Sequence, residues 1–142
     1  MWMKIALWLP RTADSVALAR QVLDRVLSSL GVRSDCRQEI VLAVSEACSN
    51  VVSHADGPSV YHLAAESTES ECTIVVDDDG PGLVAPQSTE MPDVSTIGGR
   101  GFPLMRRLSD RVDVHRRQSG GVSIRLCKNL RWCPDAPGAA SL

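Results

Sequence analysis

The sequence predicts an α+β fold, a two-layer α/β sandwich in which helices cover one face of a mixed, mostly antiparallel sheet. Two helical patterns lie near the start of the chain, and two pairs of short β-prone runs follow, each pair joined by a polar or glycine-containing turn. Strands joined in this way pair antiparallel, and adjacent amphipathic helices bury their apolar sides on a sheet. With 142 residues, 44% of them hydrophobic, the chain can build the core of one domain.

Local signals bound the first strand and the first helix. Residues 4–9 form a mainly apolar run that ends at Pro10. Thr12 or Asp14 can cap a helix, because a side-chain oxygen at that position accepts a hydrogen bond from a backbone N–H that has no other partner. Apolar residues then recur at helical spacing until Gly31, a natural C-terminal stop.

A second helix is predicted to begin at Ser34 or Asp35 and to end near residues 56–58. Its apolar residues share one side of the helix, at Ile40, Val44, Cys48 and Val51. We therefore expect this helix to lie beside the first one on the same face of the sheet.

Residues 60–65 and 72–76 are β-prone runs separated by polar residues, and they predict a hairpin. From residue 83 to residue 98 the sequence has no sustained period and contains Pro86 and Pro92. A structureless stretch of this length in a compact domain is usually functional or mobile, so we interpret it as a lid.

The chain then predicts a short helix over residues 101–109, where Pro103 is tolerated because the first turn of a helix does not use its N–H. Residues 112–116 and 122–127 predict a second hairpin. We expect the domain to end near residue 130. The tail, residues 131–142, is rich in Pro, Ala and Gly and is predicted to be disordered.

Charge and cysteine content exclude several kinds of site. The formal charge is -2, and a solvated face explains the later arginines, although a partner protein would too. The five cysteines are dispersed, without a C-x-x-C, which argues against a zinc site or a disulfide framework and favours buried thiols in a reducing cytoplasm. The apolar start is too short for a signal peptide, and no window reaches the roughly 20 apolar residues of a membrane span.

Three polar side chains recur every four residues on the second helix, Glu46, Asn50 and His54. This spacing places them on nearly the same helix face. A solvent-exposed stripe would explain them, with His54 near the helix C-terminus, where a positive charge complements the dipole. The downstream sequence instead favours a binding site.

Two glycine-containing segments supply that context. Segment 78–82, DDGPG, joins a strand to a turn that needs backbone freedom. Segment 98–104, GGRGFPL, leads into a helix N-terminus, where free N–H groups bind phosphate oxygens. The first segment is no dinucleotide-binding fingerprint, because Pro86 and polar residues stand where that motif needs a helix. A tight turn or a hinge would explain either segment alone, but the three elements together indicate a nucleotide site.

In this order, E-x-x-x-N, D-x-G-x-G and G-x-G before a helix resemble the N, G1 and G2 boxes of the GHKL ATPase superfamily, which includes gyrase and histidine kinases. SEACSNVVSHA, DDDGPGL and GGRGFPLMRRLSD are similar to segments of the short bacterial serine kinases that act as anti-sigma factors. The resemblance extends from the opening strand to about Lys128. It implies a Bergerat-type fold that holds ATP and Mg²⁺ between the helices and the lid.

The resemblance implies roles for residues around the base. Asp78 would accept the adenine amino group, and Gly80 and Gly82 would let the backbone pass close to the base and the ribose. Ser123, which follows Gly121 on a late strand, would add an adenine contact, although a plain strand serine explains it as well.

It also implies roles around the phosphates. Asn50 would present its side-chain oxygen to Mg²⁺, a hard ion that bridges phosphates. The phosphate-wrapping segment would comprise Gly99, Arg100, Gly101, Phe102 and Leu104. Arg100 pointing away from the phosphates is an equal alternative. Phe102 stands where these kinases often have Leu, and Pro103 stiffens the helix start.

Glu46 would act as the general base that takes the proton from an attacking serine hydroxyl. Because a glutamate at this position activates water in other members, it supports phosphoryl transfer without separating a kinase from an ATPase. His54 has no assigned chemistry, and we expect it to be structural.

The first hypothesis is an ATP-dependent protein-serine/threonine kinase that acts as an anti-sigma factor in the cytoplasm. It would phosphorylate an anti-sigma factor antagonist and otherwise hold a sigma factor inactive. The alternative is an ATP-binding regulatory module with weak or no kinase activity, which works by nucleotide-dependent protein binding, and simple ATP hydrolysis is a third hypothesis. The sequence is compatible with a homodimer, and it indicates no direct contact with nucleic acid or a membrane.

Overall fold

The computed structural model describes residues 3–53, 60–78, 101–116 and 121–136. The elements in chain order are β1 (Met3–Pro10), α1 (Ala13–Leu30), α2 (Ser34–Ser53), β2 (Val60–Ser67), β3 (Glu71–Asp77), α3 (Gly101–Leu108), β4 (Arg111–Arg116) and β5 (Val122–Asn129). Each helix and strand predicted within these ranges is present, which confirms the α+β fold class. The predicted lid over residues 83–98 lies outside the described residues.

The five described strands form one sheet in the order β1-β2-β3-β5-β4, and each neighbouring pair is antiparallel. Successive side chains of a strand point to opposite faces, so each strand has one face toward the helices. On β3 and β5 the face toward the helices is built from the cross-strand pairs Ile74–Leu126 and Val76–Ile124, which are almost completely buried. The helices therefore cover one face, as the alternation in the sequence predicts.

Both ends of α1 are fixed by the residues that the sequence singles out. The Thr12 hydroxyl accepts a hydrogen bond from the backbone N–H of Ser15 at 3.3 Å. At the other end Gly31 has φ 93°, a left-handed conformation that glycine adopts without a steric penalty. The backbone N–H of Gly31 then bonds the last turn of the helix.

Helix α2 is the centre of the core. It lies between α1 and α3 and also contacts β3 and β5. The four apolar residues predicted to share one side, Ile40, Val44, Cys48 and Val51, are all buried. Ala43 and Ala47 are buried with them, and their small side chains let the neighbouring elements approach closely. None of the described helices is long and apolar enough to span a membrane.

A small polar cluster is enclosed in the core between α1, α2 and β2. The Ser15 and Tyr61 hydroxyls are hydrogen-bonded at 2.8 Å. Burial raises the pKa of the Cys48 thiol, which is hydrogen-bonded to Tyr61, to about 12, so that this cysteine stays neutral. All five cysteines are free, and four are buried as expected, whereas Cys133 is exposed.

The prediction of a disordered tail from residue 131 onwards is wrong for residues 131–136. Trp132 is only 9% exposed, and its indole N–H donates to the Glu69 carbonyl at 2.7 Å. The same segment bonds the α1–α2 connection, where the Cys133 N–H donates to the Gly31 carbonyl at 2.8 Å. A single large aromatic residue anchors a segment whose composition otherwise indicates disorder. Residues 137–142 lie outside the described residues.

Trp132→Ala should lower the free energy of unfolding by about 3 kcal/mol, because it empties a buried site and leaves the Glu69 carbonyl without its donor. Chemical denaturation measures this change. Trp8→Ala is the matched control, since Trp8 is 65% exposed, and it should change stability by about 0.5 kcal/mol or less. Equal effects of the two substitutions would show that the segment after β5 does not stabilise the domain.

Candidate functional site

One end of the sheet carries Asp78, which the sequence predicts to accept the adenine amino group. Strands β1 and β3 are both antiparallel to β2, so they run parallel to each other. Their last residues therefore lie at the same end of the sheet. Arg11 follows the end of β1, and Asp78 follows the end of β3. The last turns of α2 contribute the backbone of Val51 to the same place.

Asp78 is held in this site from two directions. Its backbone N–H donates to the Val122 carbonyl at 3.2 Å, which continues the β3–β5 ladder. Its carboxylate oxygen Oδ2 lies 3.5 Å from Nη2 of Arg11, and the two side chains are only 4% and 9% exposed. The Nη1 group of Arg11 donates to the Val51 carbonyl of α2. This buried ion pair therefore links β1, β3 and α2.

Arg11 was not among the residues predicted from the sequence. The sequence does contain a signal for the contact between Arg11 and Asp78. Each of these residues directly follows a strand that pairs antiparallel with β2. Two strand spacings amount to about 10 Å, a distance that an arginine and an aspartate side chain together can span. Recognising this requires the strand order, which a single sequence does not provide.

Asn50 is buried on α2, and its Nδ2 atom has no hydrogen-bond partner among the described residues. A buried amide without a partner is costly, so the arrangement favours a polar ligand at this position. Rotation of the amide exchanges its oxygen and nitrogen, which lets the same side chain offer an oxygen to a cation. The Ser67 hydroxyl also has no hydrogen-bond partner among the described residues, but it is the last residue of β2, at the end of the strand away from Arg11.

Glu46 lies one helical turn before Asn50 and is half-buried. Within the described part of the chain its carboxylate has neither an ion pair nor a hydrogen bond. Glu39, two turns earlier on α2, is different, because it accepts hydrogen bonds from Lys128 and from Arg131, the latter at 3.2 Å. Of the three carboxylates of α2, Glu46 is thus the one that has no hydrogen bond or ion pair to a described residue.

Helix α3 is fixed at its C-terminal end by a buried cation. The Lys128 ammonium donates to the Leu108 carbonyl at 2.6 Å and to the Glu39 carboxylate. A positive charge there also complements the negative end of the helix dipole. Phe102 and Met105 are buried and anchor α3 in the core. Helix α3 has eight residues, so its N-terminus lies about 12 Å from the contact between Lys128 and Leu108.

The remaining predicted site residues have different outcomes. Gly101 is the first residue of α3, and Leu104 is half-buried on it. Ser123 pairs with Asp77 and shares its face of the sheet, which is opposite to the face carrying Val76 and Ile124. The predicted adenine contact of Ser123 stays a prediction. Outside the described residues lie His54, Gly80, Gly82, Gly99 and Arg100.

The described residues form a five-stranded antiparallel sheet covered on one face by three helices, which matches the fold of a GHKL-type ATP-binding domain. The chain matches the family model of the histidine kinase-like ATPase domain over residues 9–128, and it belongs to this family. The predicted resemblance is thereby confirmed. Membership of an ATPase domain family implies ATP binding.

Relatives of similar length share this domain. The chain is 29% identical over 140 residues to the serine-protein kinase RsbW of Staphylococcus aureus (strain MSSA476), covering 89% of this chain and 87% of the relative. It is 28% identical over 128 residues to the anti-sigma F factor of Clostridium novyi (strain NT), covering 84% and 89%.

Two solved structures share the fold. The RsbU and RsbW domains of Rv1364c from Mycobacterium tuberculosis match with a TM-score of 0.69 and 19% identity, over 90% of this chain and 32% of that one. The SiaB–SiaC complex from Pseudomonas aeruginosa matches with a TM-score of 0.59 and 14% identity, over 88% and 89%. At these identities the likeness establishes the fold alone.

The hydrogen-bonded ion pair between Lys128 and Glu39 predicts that the protein loses stability at low pH. The hydrogen bond from Lys128, more than the charge of Arg131, lowers the pKa of Glu39 below its ordinary value of 4.5. A lowered pKa in the folded state stabilises the protein above the unfolded-state value, and this contribution disappears as the pH falls through the folded-state value. The difference in unfolding free energy between wild type and Glu39→Gln should therefore shrink below pH 4.5.

Urea denaturation across the acid range measures this difference. In a Lys128→Met background the effect of Glu39→Gln on the unfolding free energy should lose most of its pH dependence. The hydrogen-bond donor that contributes most to the lowered pKa of Glu39 is then gone. A pH dependence that persists unchanged in that background would assign the effect to other groups.

Proposed function

We propose that this protein is an ATP-dependent protein-serine/threonine kinase that acts as an anti-sigma factor. The observation that carries the proposal is the pair formed by Glu46 and Asn50, one helical turn apart on α2. The Glu46 carboxylate has no hydrogen bond or ion pair to a described residue, and the Nδ2 atom of the buried Asn50 has no hydrogen-bond partner among the described residues. Membership of the ATPase domain family supports ATP as the donor. The names of two relatives, a serine-protein kinase and an anti-sigma F factor, support the activity and the setting.

Base recognition is proposed for Asp78. Its carboxylate is fixed by the ion pair with Arg11 and by the backbone bond to Val122, so it is an acceptor with a defined position. A fixed acceptor selects a base that presents an N–H donor, as the exocyclic amino group of adenine does. The glycines Gly80 and Gly82 are proposed to line the same subsite.

Asn50 is proposed to hold Mg²⁺. Among the described residues there is no group of three or more His, Cys, Asp or Glu side chains that could bind a metal. A magnesium ion here would depend on the Asn50 oxygen and on phosphate oxygens, which is how Mg²⁺ is usually held beside nucleotides. When bound, Mg·ATP supplies the transferable γ-phosphoryl group, and the metal neutralises charge on its oxygens.

Glu46 is proposed to take the proton from the serine hydroxyl of the substrate protein. It is half-buried, which leaves it accessible from outside while its backbone is held by the core side of α2. The buried Phe102 holds the start of α3, whose N–H groups, with Gly99, Arg100, Gly101 and Leu104, are proposed to bind phosphate oxygens.

Two protein partners follow from this proposal, a sigma factor and its antagonist. Phosphorylation of a serine adds about -1.5 to -2 charges to the antagonist, which is sufficient to disrupt an interface that was formed with the neutral hydroxyl. The kinase would then be released to hold the sigma factor. One phosphoryl transfer would thus make the kinase exchange its antagonist for the sigma factor.

The test is incubation with γ-labelled ATP, Mg²⁺ and candidate antagonist proteins. Label on a serine of the added protein supports the kinase. Label released only as phosphate identifies an ATP hydrolase. ATP binding without transfer, together with nucleotide-dependent binding of a partner, identifies the regulatory module.

Glu46→Gln should reduce phosphoryl transfer by about 10²–10⁴-fold, because the amide cannot accept the hydroxyl proton. ATP affinity should not fall, since the change preserves size and removes a negative charge near the phosphates. Single-turnover transfer and calorimetry measure the two quantities. Glu66→Gln, at an exposed position of β2, is the matched control and should leave both unchanged. Full transfer by Glu46→Gln would remove the proposed base.

Asn50→Asp should weaken Mg·ATP binding by about tenfold, because it places a negative charge beside the phosphates. Calorimetric titration with ATP at constant Mg²⁺ measures the effect. Asn129→Asp makes the same chemical change at an exposed position of β5 and should have no effect on affinity. Equal affinities for Asn50→Asp and wild type would exclude Asn50 from the metal site.

A further inference from the structure

The outer face of α2 beside Glu46 carries an exposed leucine, Leu42, which has no part in the nucleotide site. We propose that Leu42 is a docking residue for the substrate protein, and that it binds an apolar side chain close to the acceptor serine. This inference rests on the proposed kinase activity and adds one feature that the substrate protein must have.

The position of Leu42 distinguishes it from other exposed apolar residues. It is one of three large hydrophobic residues that are exposed in the described part of the chain, with Trp8 and Leu18. Single exposed apolar residues are common on protein surfaces, so exposure alone does not identify a contact. Leu42 is the one that lies on α2, four residues before Glu46, and this spacing makes the two side chains neighbours on the helix surface.

Two exposed residues flank Glu46 on α2. The residues three or four positions away from it are Leu42, Ala43, Ser49 and Asn50. Ala43 and Asn50 are buried, whereas Leu42 is 44% exposed and Ser49 is exposed as well. A protein that reaches the Glu46 carboxylate from solvent along this helix therefore contacts Leu42 or Ser49.

The proposed position of the nucleotide selects one of these two sides. Asn50 and the end of the sheet that carries Asp78 both lie toward the C-terminus of α2. The attacking and leaving oxygens lie roughly in line on opposite sides of the transferred phosphoryl group. The substrate protein therefore approaches from the N-terminal side of Glu46, where Leu42 lies about 12 Å from Asn50 along the helix axis.

The helix spacing predicts which substrate residue contacts Leu42. A general base lies within hydrogen-bond reach of the hydroxyl that it deprotonates, so the serine lies over Glu46. Leu42 and Glu46 are about 6 Å apart along the helix axis, and side chains on one face of an extended segment are about 7 Å apart. An extended segment thus places the residue two positions from the serine on Leu42, and we expect this residue to be apolar.

Leu42→Ala should raise the KM for the substrate protein by about tenfold and leave kcat within about threefold, because it removes an apolar contact away from the reacting atoms. Steady-state transfer from γ-labelled ATP to the antagonist protein that the wild type labels measures both quantities. ATP affinity by calorimetry should be unchanged. Leu42→Met keeps an apolar side chain of similar volume and should keep the KM within about threefold of wild type.

Leu18→Ala is the matched control. Leu18 is 48% exposed, so this substitution removes the same group from a similarly exposed position. Leu18 lies six residues before Asp24, which pairs with Arg37 of α2. Its side chain therefore points about 120° away from the side of α1 that contacts α2. The KM for the substrate protein should stay at the wild-type value.

A second measurement locates the contact on the substrate protein. Replacing the apolar residue two positions from the labelled serine by Ala should raise the KM of the wild-type kinase by about tenfold. With Leu42→Ala the same replacement should raise the KM by less than about threefold, since the partner side chain is already absent. Equal effects on the two kinases would show that this residue does not contact Leu42.

The outcomes separate this inference from the proposed function. Transfer of label by the wild type, with an unchanged KM in Leu42→Ala, overturns the docking role and leaves the kinase standing. A labelled serine with no apolar residue two positions away overturns it as well. Sedimentation that shows a dimer in wild type and a monomer in Leu42→Ala, without a change in KM, assigns Leu42 to a contact between copies instead. A wild-type protein that labels no protein overturns the proposed function itself.

Discussion

The burial of α2 between two helices and the sheet is the constraint on which the rest of the structure depends. One side of this helix is filled by small and branched apolar residues that contact β3 and β5. That side fixes the rotation of the helix about its axis. The rotation in turn determines where Glu46 and Asn50 project, since they are four residues apart on an adjoining stripe. A loss of core packing would therefore misplace the site even if each of its residues were retained.

Charged contacts hold α2 at both ends. Near its start Glu39 bonds Lys128 of β5, and near its end the Val51 carbonyl accepts from Arg11. Contacts of a buried charge contribute little net stability, because the desolvation of the charge offsets most of the attraction. Their geometry is nevertheless strict, since a displaced partner leaves a buried charge uncompensated. These two contacts thus restrict sliding of the helix along the sheet, which apolar packing alone does not strongly oppose.

The elements that could be predicted from the sequence are those with local causes. Thr12 and Gly31 bound α1 through the backbone groups next to them, and the alternation along β3 identifies its buried face without reference to any other strand. The anchoring of Trp132 and the position of Ser123 have no such local cause. Trp132 depends on a carbonyl 63 residues away, and the face on which Ser123 lies depends on its register with β3. Both depend on how distant parts of the chain come together in the folded structure.

The distribution of charge around the end of α2 singles out Glu46. The carboxylate of Asp78 is balanced by Arg11, and Asn50 is neutral, so neither repels a triphosphate. Glu46 alone among these three adds a negative charge without a counter-ion in the described part of the chain. A residue chosen only for binding an anionic nucleotide would be neutral or positive at that position. Under the proposed function, a carboxylate that has no counter-ion among the described residues and lies beside the phosphates has its explanation in removing a proton. For this reason Glu46 favours the kinase proposal over binding alone.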